Sequence, residues 1–150
     1  MQFAGTVEIA ASRQSVWEFL LDFDRVATCG PGVASVEKTD DRHARVDARI
    51  GVGFISARFS IDLELGEVVA SERAEILGRG EAPGTQVEGR AAMRLSGPDD
   101  GPTTLDWTAE VEIFGSLAAV GARLIESTAN RLIDDAFDCI RARLAAPAGA

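Results

Sequence analysis

Residues 104–145 read TLDWTAEVEIFGSLAAVGARLIESTANRLIDDAFDCIRARLA. The opening of this stretch alternates. Leu105, Trp107, Val111 and Ile113 share one parity, and Asp106, Glu110 and Glu112 share the other. That is the pattern of a β-strand with one dry and one wet face. Beyond Gly115 the period becomes helical. A polar stripe of Arg123, Glu126, Asn130, Asp134, Asp138 and Arg141 opposes a broad apolar face that includes Val120, Leu124, Ile125, Leu132, Ile133, Phe137 and Ile140. The spacing predicts a helix over Leu117 to Ala145, roughly 43 Å long at about 1.5 Å per residue. A one-sided strand feeding a long amphipathic helix needs a sheet for the strand to join and the helix to cover.

Working back toward the N-terminus supplies that sheet. Thr104 to Phe114 is preceded by strands predicted at Gln86 to Leu95, Ser71 to Gly80, Phe54 to Val69, Arg42 to Ile50 and Val33 to Thr39. Asp40-Asp41, Gly51 with Gly53, Pro83-Gly84 and the run Gly97 to Pro102 mark the turns. On Phe54 to Val69 the same one-sidedness recurs, with Ile55, Phe59, Ile61 and Leu63 opposing Arg58, Asp62 and Glu64. The chain begins with an alternating Phe3 to Ala10. A short helix from about Arg13 to Asp22 follows, capped by Ser12, and then a helical turn from Asp24 to Ala27 that stops at Cys29-Gly30-Pro31-Gly32. Hairpin-length connections force antiparallel neighbours. The fold class is therefore α+β. A curved, seven-stranded antiparallel sheet grips one long C-terminal helix, with two short helices after strand 1. Residues 1–146 form one domain, and 147–150 are a linker stub or disordered tail.

The composition narrows the function. The net charge of −9 disfavours nucleic acid, whose binding depends on cations displacing counterions. Cys29 and Cys139 are the only cysteines and His43 the only histidine. With no Cys/His ligand spacing, no metal site is expected, and the cysteines read as two reduced, buried thiols of a cytoplasmic protein. There is no signal peptide pattern and no run of roughly 18 to 20 apolar residues for a membrane span. Above all, the dry face of the sheet carries almost no titratable group. Acid, base or metal catalysis needs polar groups inside a pocket, so no catalytic residue is assigned. Binding or carrying something hydrophobic fits better.

Several motifs resemble the CoxG family of carbon monoxide dehydrogenase proteins, a branch of the START-like polyketide cyclase and lipid-transport superfamily. They are Phe3-x-Gly5, Val16-Trp17, Leu20 to Asp22 and Cys29-x-Pro31-Gly32, then Gly78-x-Gly80 with Gly89. Leu105-x-Trp107, Val111, Gly115-x-Leu117-Ala118, Gly121 and Phe137 complete the set. The resemblance implies a helix-grip fold of the START and Bet v 1 kind without a catalytic centre. It also implies an accessory of a molybdenum hydroxylase, such as an aerobic CO dehydrogenase complex, at the inner face of the cell membrane. Many members continue into a linker and an apolar C-terminal anchor, so membrane association through a segment beyond Ala150 is expected. The family pattern has Pro where Phe54 follows Gly53 here.

The candidate ligand-binding residues are Cys29, Phe54, Phe59, Ile61, Met93, Trp107, Phe114, Leu117, Gly121, Leu124 and Thr128. Each also reads as ordinary core, and Cys29-x-Pro31-Gly32 also reads as a turn packed over its Cys. Small residues at Ala57, Gly89, Ala91 and Ala109 leave room between sheet and helix, and Gly121 and Thr128 fall where bulky helix residues would fill it. The expected occupant is a long apolar molecule, a respiratory quinone or another long-chain lipid. Two other readings stay open: a polyketide cyclase or aromatase-like enzyme, and a generic lipid carrier without a dehydrogenase partner.

Overall fold

Short turns decide the strand order. In the computed structural model, which describes residues 1–145, β1 (Gln2–Ile9) leads into α1 (Arg13–Leu21), α2 (Phe23–Val26) and a 3₁₀ turn (Ala27–Cys29). Then come β2 (Val33–Asp40), β3 (His43–Val52), β4 (Ile55–Val69), β5 (Arg73–Ala82), β6 (Thr85–Ser96) and β7 (Thr103–Gly115). A second 3₁₀ segment (Ser116–Val120) precedes α3 (Ala122–Ala145). The tail expected at 147–150 lies outside the described residues.

All seven strands form one antiparallel sheet in the order β1-β7-β6-β5-β4-β3-β2. Consecutive strands from β2 to β7 are hairpin neighbours, and β1 closes onto β7 from Gln2–Glu110 to Ile9–Thr103. The two edges are thus β1 and β2, bridged in sequence by the short helices. Ser12 caps α1 as its position predicts, its Oγ accepting from the Ser15 N–H at 3.2 Å. Asp22 does the same for α2 by accepting from the Asp24 N–H at 3.1 Å.

The last helix is shorter than the periodicity predicts. α3 has 24 residues, roughly 36 Å. Gly121 sits at φ +102°, a region closed to side-chain-bearing residues but open to glycine. It therefore breaks the helix from the 3₁₀ segment before it.

Cys29 and Cys139 are joined in a disulfide with a Cα–Cα separation of 5.5 Å, inside the range such a bond requires. This corrects the expectation of two reduced thiols. Their separation of 110 positions in sequence conceals that the turn after α2 packs directly beneath the final third of α3.

The buried side chains fall into three separate clusters. Ile9, Val16, Phe19, Leu20, Leu105 and Ile140 tie β1, α1 and the end of α3 to the sheet. Phe23, Ala44 and Leu65 seat α2 on β3 and β4. Val52, Phe59 and Leu117 fill the opposite end, under the 3₁₀ segment.

Candidate ligand-binding site

Between these clusters the sheet carries small residues. One row across the inner face runs Ala44–Leu63–Gly78–Gly89–Val111, through successive strand pairs from β3 to β7. The next runs Leu65–Ile76–Ala91–Ala109–Phe3. Gly78, Gly89, Ala91, Ala109 and Val111 are only half-buried and belong to none of the three clusters. Facing them, Ala129, Leu132, Ile133 and Ala136 of α3 are also half-buried. The small side chains of the sheet and the apolar positions of α3 on that side thus share one apolar, half-buried surface.

The lining is apolar. Inner-facing positions in register along β3 to β7 carry no titratable side chain. The polar groups there are Thr85, Thr103, Thr128 and the Trp107 indole. Thr85 accepts the Leu117 N–H at 3.2 Å, and Thr103 donates to the Ala11 carbonyl at 2.9 Å. The Trp107 Nε1–H is buried and has no acceptor. Trp107 stacks obliquely on Phe137, with ring centroids 5.6 Å apart. The two rings floor a crevice of about 450 Å³ between the β1 edge and α3, closed on the helix side by Asn130, Ile133, Asp134, Asp138 and Arg141.

The structure places the predicted site residues unequally. Ile61, Met93 and Trp107 are half-buried on the inner face, and Thr128 is buried on the face of α3 toward the sheet. Phe59 and Leu117 are on the inner side but are buried core of the end cluster. Cys29 is buried within the α1–α3 cluster and bonded to Cys139, so it forms part of a clamp rather than a free lip. Four residues do not line an interior. Phe54 is fully exposed, at 103%, because the Gly53-Phe54 reversal puts it at a hairpin apex. Phe114 is paired with Gln86 on the outer parity of β7 and is exposed. Gly121 precedes α3 rather than riding on its face, and a Cβ there would meet nothing within 4 Å. Leu124, in the first turn of α3, is exposed beside the Gly53 turn. The candidate set leaves out Ile76 and Gly78 of the sheet, and also Ile133 and Ala136, which the helical period places on the apolar face of α3 without marking them as lining. The cross-strand register that brings Ile76 and Gly78 to the inner face is not visible in local periodicity.

Two grooves of about 590 and 720 Å³ cross the outer face. Charged pairs line them, among them Arg79–Glu88 at 3.6 Å, Arg90–Glu75 at 3.3 Å and Arg73–Glu67 at 2.8 Å. They are solvated saddles of a twisted sheet. Among the described residues no group of three or more His, Cys, Asp or Glu is placed to hold a metal ion, and no helix is long and apolar enough to cross a membrane.

Comparison with known proteins agrees with this architecture. A conserved protein from Geobacillus kaustophilus superposes with a TM-score of 0.88 at 25% identity, over 97% of this chain and 95% of that one. A START superfamily protein from Mycobacterium smegmatis matches with a TM-score of 0.68 at 16% identity, over 95% and 96% of the two chains. The Zhui aromatase/cyclase from Streptomyces sp. R1128 matches with a TM-score of 0.71 at 18% identity, over 96% and 93%. No curated protein matches the sequence. The model of the carbon monoxide dehydrogenase CoxG family matches residues 5–145. The glycine-floored helix-grip sheet and that match over almost its whole length make this chain a member of the carbon monoxide dehydrogenase CoxG family, with a START-like fold.

Proposed function

We propose that this protein is a noncatalytic accessory that carries a long apolar molecule of the respiratory-quinone type between its sheet and α3. In this reading it links a molybdenum hydroxylase of the CO dehydrogenase type to the membrane. The observation that carries the proposal is the two adjacent rows of small residues, Gly78 with Gly89 and Ala91 with Ala109, which are half-buried and outside the three core clusters on the apolar inner face. Exposed apolar surface of that kind gains about 25 cal/mol per Å² when a hydrophobic chain covers it. Membership of the CoxG family supports the partner. The dehydrogenase's electrons need an acceptor, and a lipid-soluble quinone is one that an apolar groove can hold. An enzyme of the cyclase kind would need polar groups aimed at a substrate carbonyl, which the inner-facing rows of the sheet do not supply.

The test is native mass spectrometry of the purified protein, with organic extraction of whatever accompanies it. A co-purifying quinone is the expected result. A fatty acid or phospholipid instead would replace the electron-transfer role with general lipid carriage. A protein that is empty and refuses added quinones would overturn the carrier reading.

A further inference from the structure

Among the described residues the most exposed large hydrophobic side chain is an aromatic one at a sharp turn. β3 and β4 are joined by the two residues Gly53 and Phe54, between the Val52–Ile55 pair. Gly53 has φ +64°, the positive value that the first central position of a type II′ hairpin requires. Phe54 is left at the apex with its whole ring in solvent. Ile55 and Leu124 beside it are also exposed. A Cβ on Gly53 would lie 3.1 Å from the Leu124 Cδ2, so the hairpin tip and the first turn of α3 form one continuous apolar point.

Cations stand behind that point. Arg49 and Arg58 face each other directly across β3 and β4, three residue pairs or about 10 Å from the tip. Like charges in that position repel, and among the described residues neither arginine has an ion-pair partner. Arg123, next to Leu124, is exposed and equally unpaired. Along the ladder the next carboxylates are Asp47 and Glu81, both in register with Ser60 two steps further from the tip, and along α3 the next is Glu126. The chain as a whole carries −9. This end is therefore a local cationic exception on an acidic protein.

We propose that the Gly53-Phe54 hairpin tip and the start of α3 are a docking surface for an anionic lipid bilayer. The proposal rests on the reading of the protein as a membrane-linked carrier and adds where it touches the membrane and which lipids it selects. The dimensions fit. An apolar point enters the headgroup and acyl boundary by about 5 to 10 Å, which brings Arg49, Arg58 and Arg123 level with the phosphates. The acidic remainder is repelled from the same surface, so only this end approaches, and the approach is sensitive to salt.

The test is flotation of the purified chain with vesicles of phosphatidylcholine alone and of phosphatidylcholine containing phosphatidylglycerol. The quinone content of each sample is measured by extraction. The wild-type chain is expected to float with the anionic vesicles at low salt and to be released near 1 M salt, where the Debye length is about 3 Å. Phe54→Ser removes a side chain that packs on nothing. It should reduce vesicle binding roughly tenfold or more while leaving thermal stability and quinone content unchanged. R49E/R58E should remove the preference for anionic vesicles. If these losses occur in a protein that carries no quinone, the docking surface stands and the carrier reading falls. The proposal is overturned if the wild type ignores anionic vesicles, if it binds neutral ones equally well, or if the variants bind like the wild type, whatever co-purifies. It is also overturned if Phe54→Ser instead abolishes a concentration-dependent dimer, which would assign the tip to a second copy of the chain.

Discussion

Gly5 and Trp107 are partners across the β1–β7 ladder, and the indole lies against the bare backbone of the glycine. A Cβ on Gly5 would stand 2.9 Å from both Nε1 and Cζ2 of Trp107, closer than real contacts allow. Gly5→Ala must therefore push the indole toward Phe137. The expected cost is about 1 to 3 kcal/mol, typical of overpacking, or several degrees of melting temperature for a chain of this size. Measured in a Trp17→Phe background, the emission of Trp107 should shift as well. Trp107→Phe keeps an aromatic face toward Phe137 and removes the unpartnered Nε1–H together with part of the indole's contact, so its cost should be about 1 kcal/mol, less than that of a full truncation. A Gly5→Ala protein with wild-type melting and emission would show that the indole has room to move.

The Cys29–Cys139 bond closes 110 residues of chain. In the chain-entropy model a loop of that length stabilises the fold by up to about 4.7 kcal/mol. Cys139→Ala should lower the melting temperature by about 10 to 15 °C, and reductant should bring the wild type to the same value. Alkylation of the unreduced protein should add no mass. Melting that ignores both reductant and the substitution would mean that the packing of Phe19, Leu20 and Ile140 around the bridge holds the turn to α3 without it.

How much of this is legible in the sequence depends on the range over which each feature is specified. The alternation of Leu105, Trp107, Val111 and Ile113 against Asp106, Glu110 and Glu112 is local, and it places β7 and its inner face correctly. Phe114 follows the acidic parity in that same pattern, and the structure puts it outside accordingly. Gly121 escapes the pattern because helical periodicity runs through it unbroken, while its backbone angle does not. Phe54 shares the outward parity of Arg58, Asp62 and Glu64, and the turn at Gly53-Phe54 takes it out of the strand, which starts at Ile55. The disulfide and the row Leu63–Gly78–Gly89–Val111 arise from register and from the path of α3. Both are long-range properties that no window of local sequence contains.

His43 adds a pH dependence at the β2–β3 turn. Its Nδ1 lies 2.9 Å from an Asp40 carboxylate oxygen and its Nε2 3.6 Å from Glu64. The hydrogen bond to Asp40 is the main cause of a raised imidazole pKa. Asp40 is lowered, first by the Arg42 backbone N–H and then by His43. The histidine's contribution to stability is complete below its ordinary value of 6.5 and disappears as the pH rises through the higher folded value. The aspartate's contribution is present above 3.8 and disappears as the pH falls through its lower folded value. Imidazole proton shifts followed by NMR should titrate above 6.5, and Asp40→Asn should return them toward it. A histidine that titrates at its ordinary pH in the wild type would mean that the turn is too mobile to hold the pair.

Ala91 and Ala109 oppose each other in the sheet, half-buried on the inner face, and enlarging them tests the proposed carrier site directly. Leucine at either position points toward apolar neighbours, Ile76 beside Ala91 and Phe3 beside Ala109. Ala91→Leu and Ala109→Leu should therefore leave melting unchanged or slightly raised. If a quinone or lipid chain occupies the space, each should weaken its binding about tenfold or more, since displaced apolar contact is worth about 25 cal/mol per Å². Quenching of tryptophan fluorescence by an added quinone reads this directly. Gly121→Leu makes the contrast. At φ +102° it strains the backbone by about 1 to 3 kcal/mol and projects into open space, so it should lower stability without competing for the ligand. Ligand binding that survives both alanine substitutions but fails in Gly121→Leu would move the binding site away from the sheet and to the junction before α3.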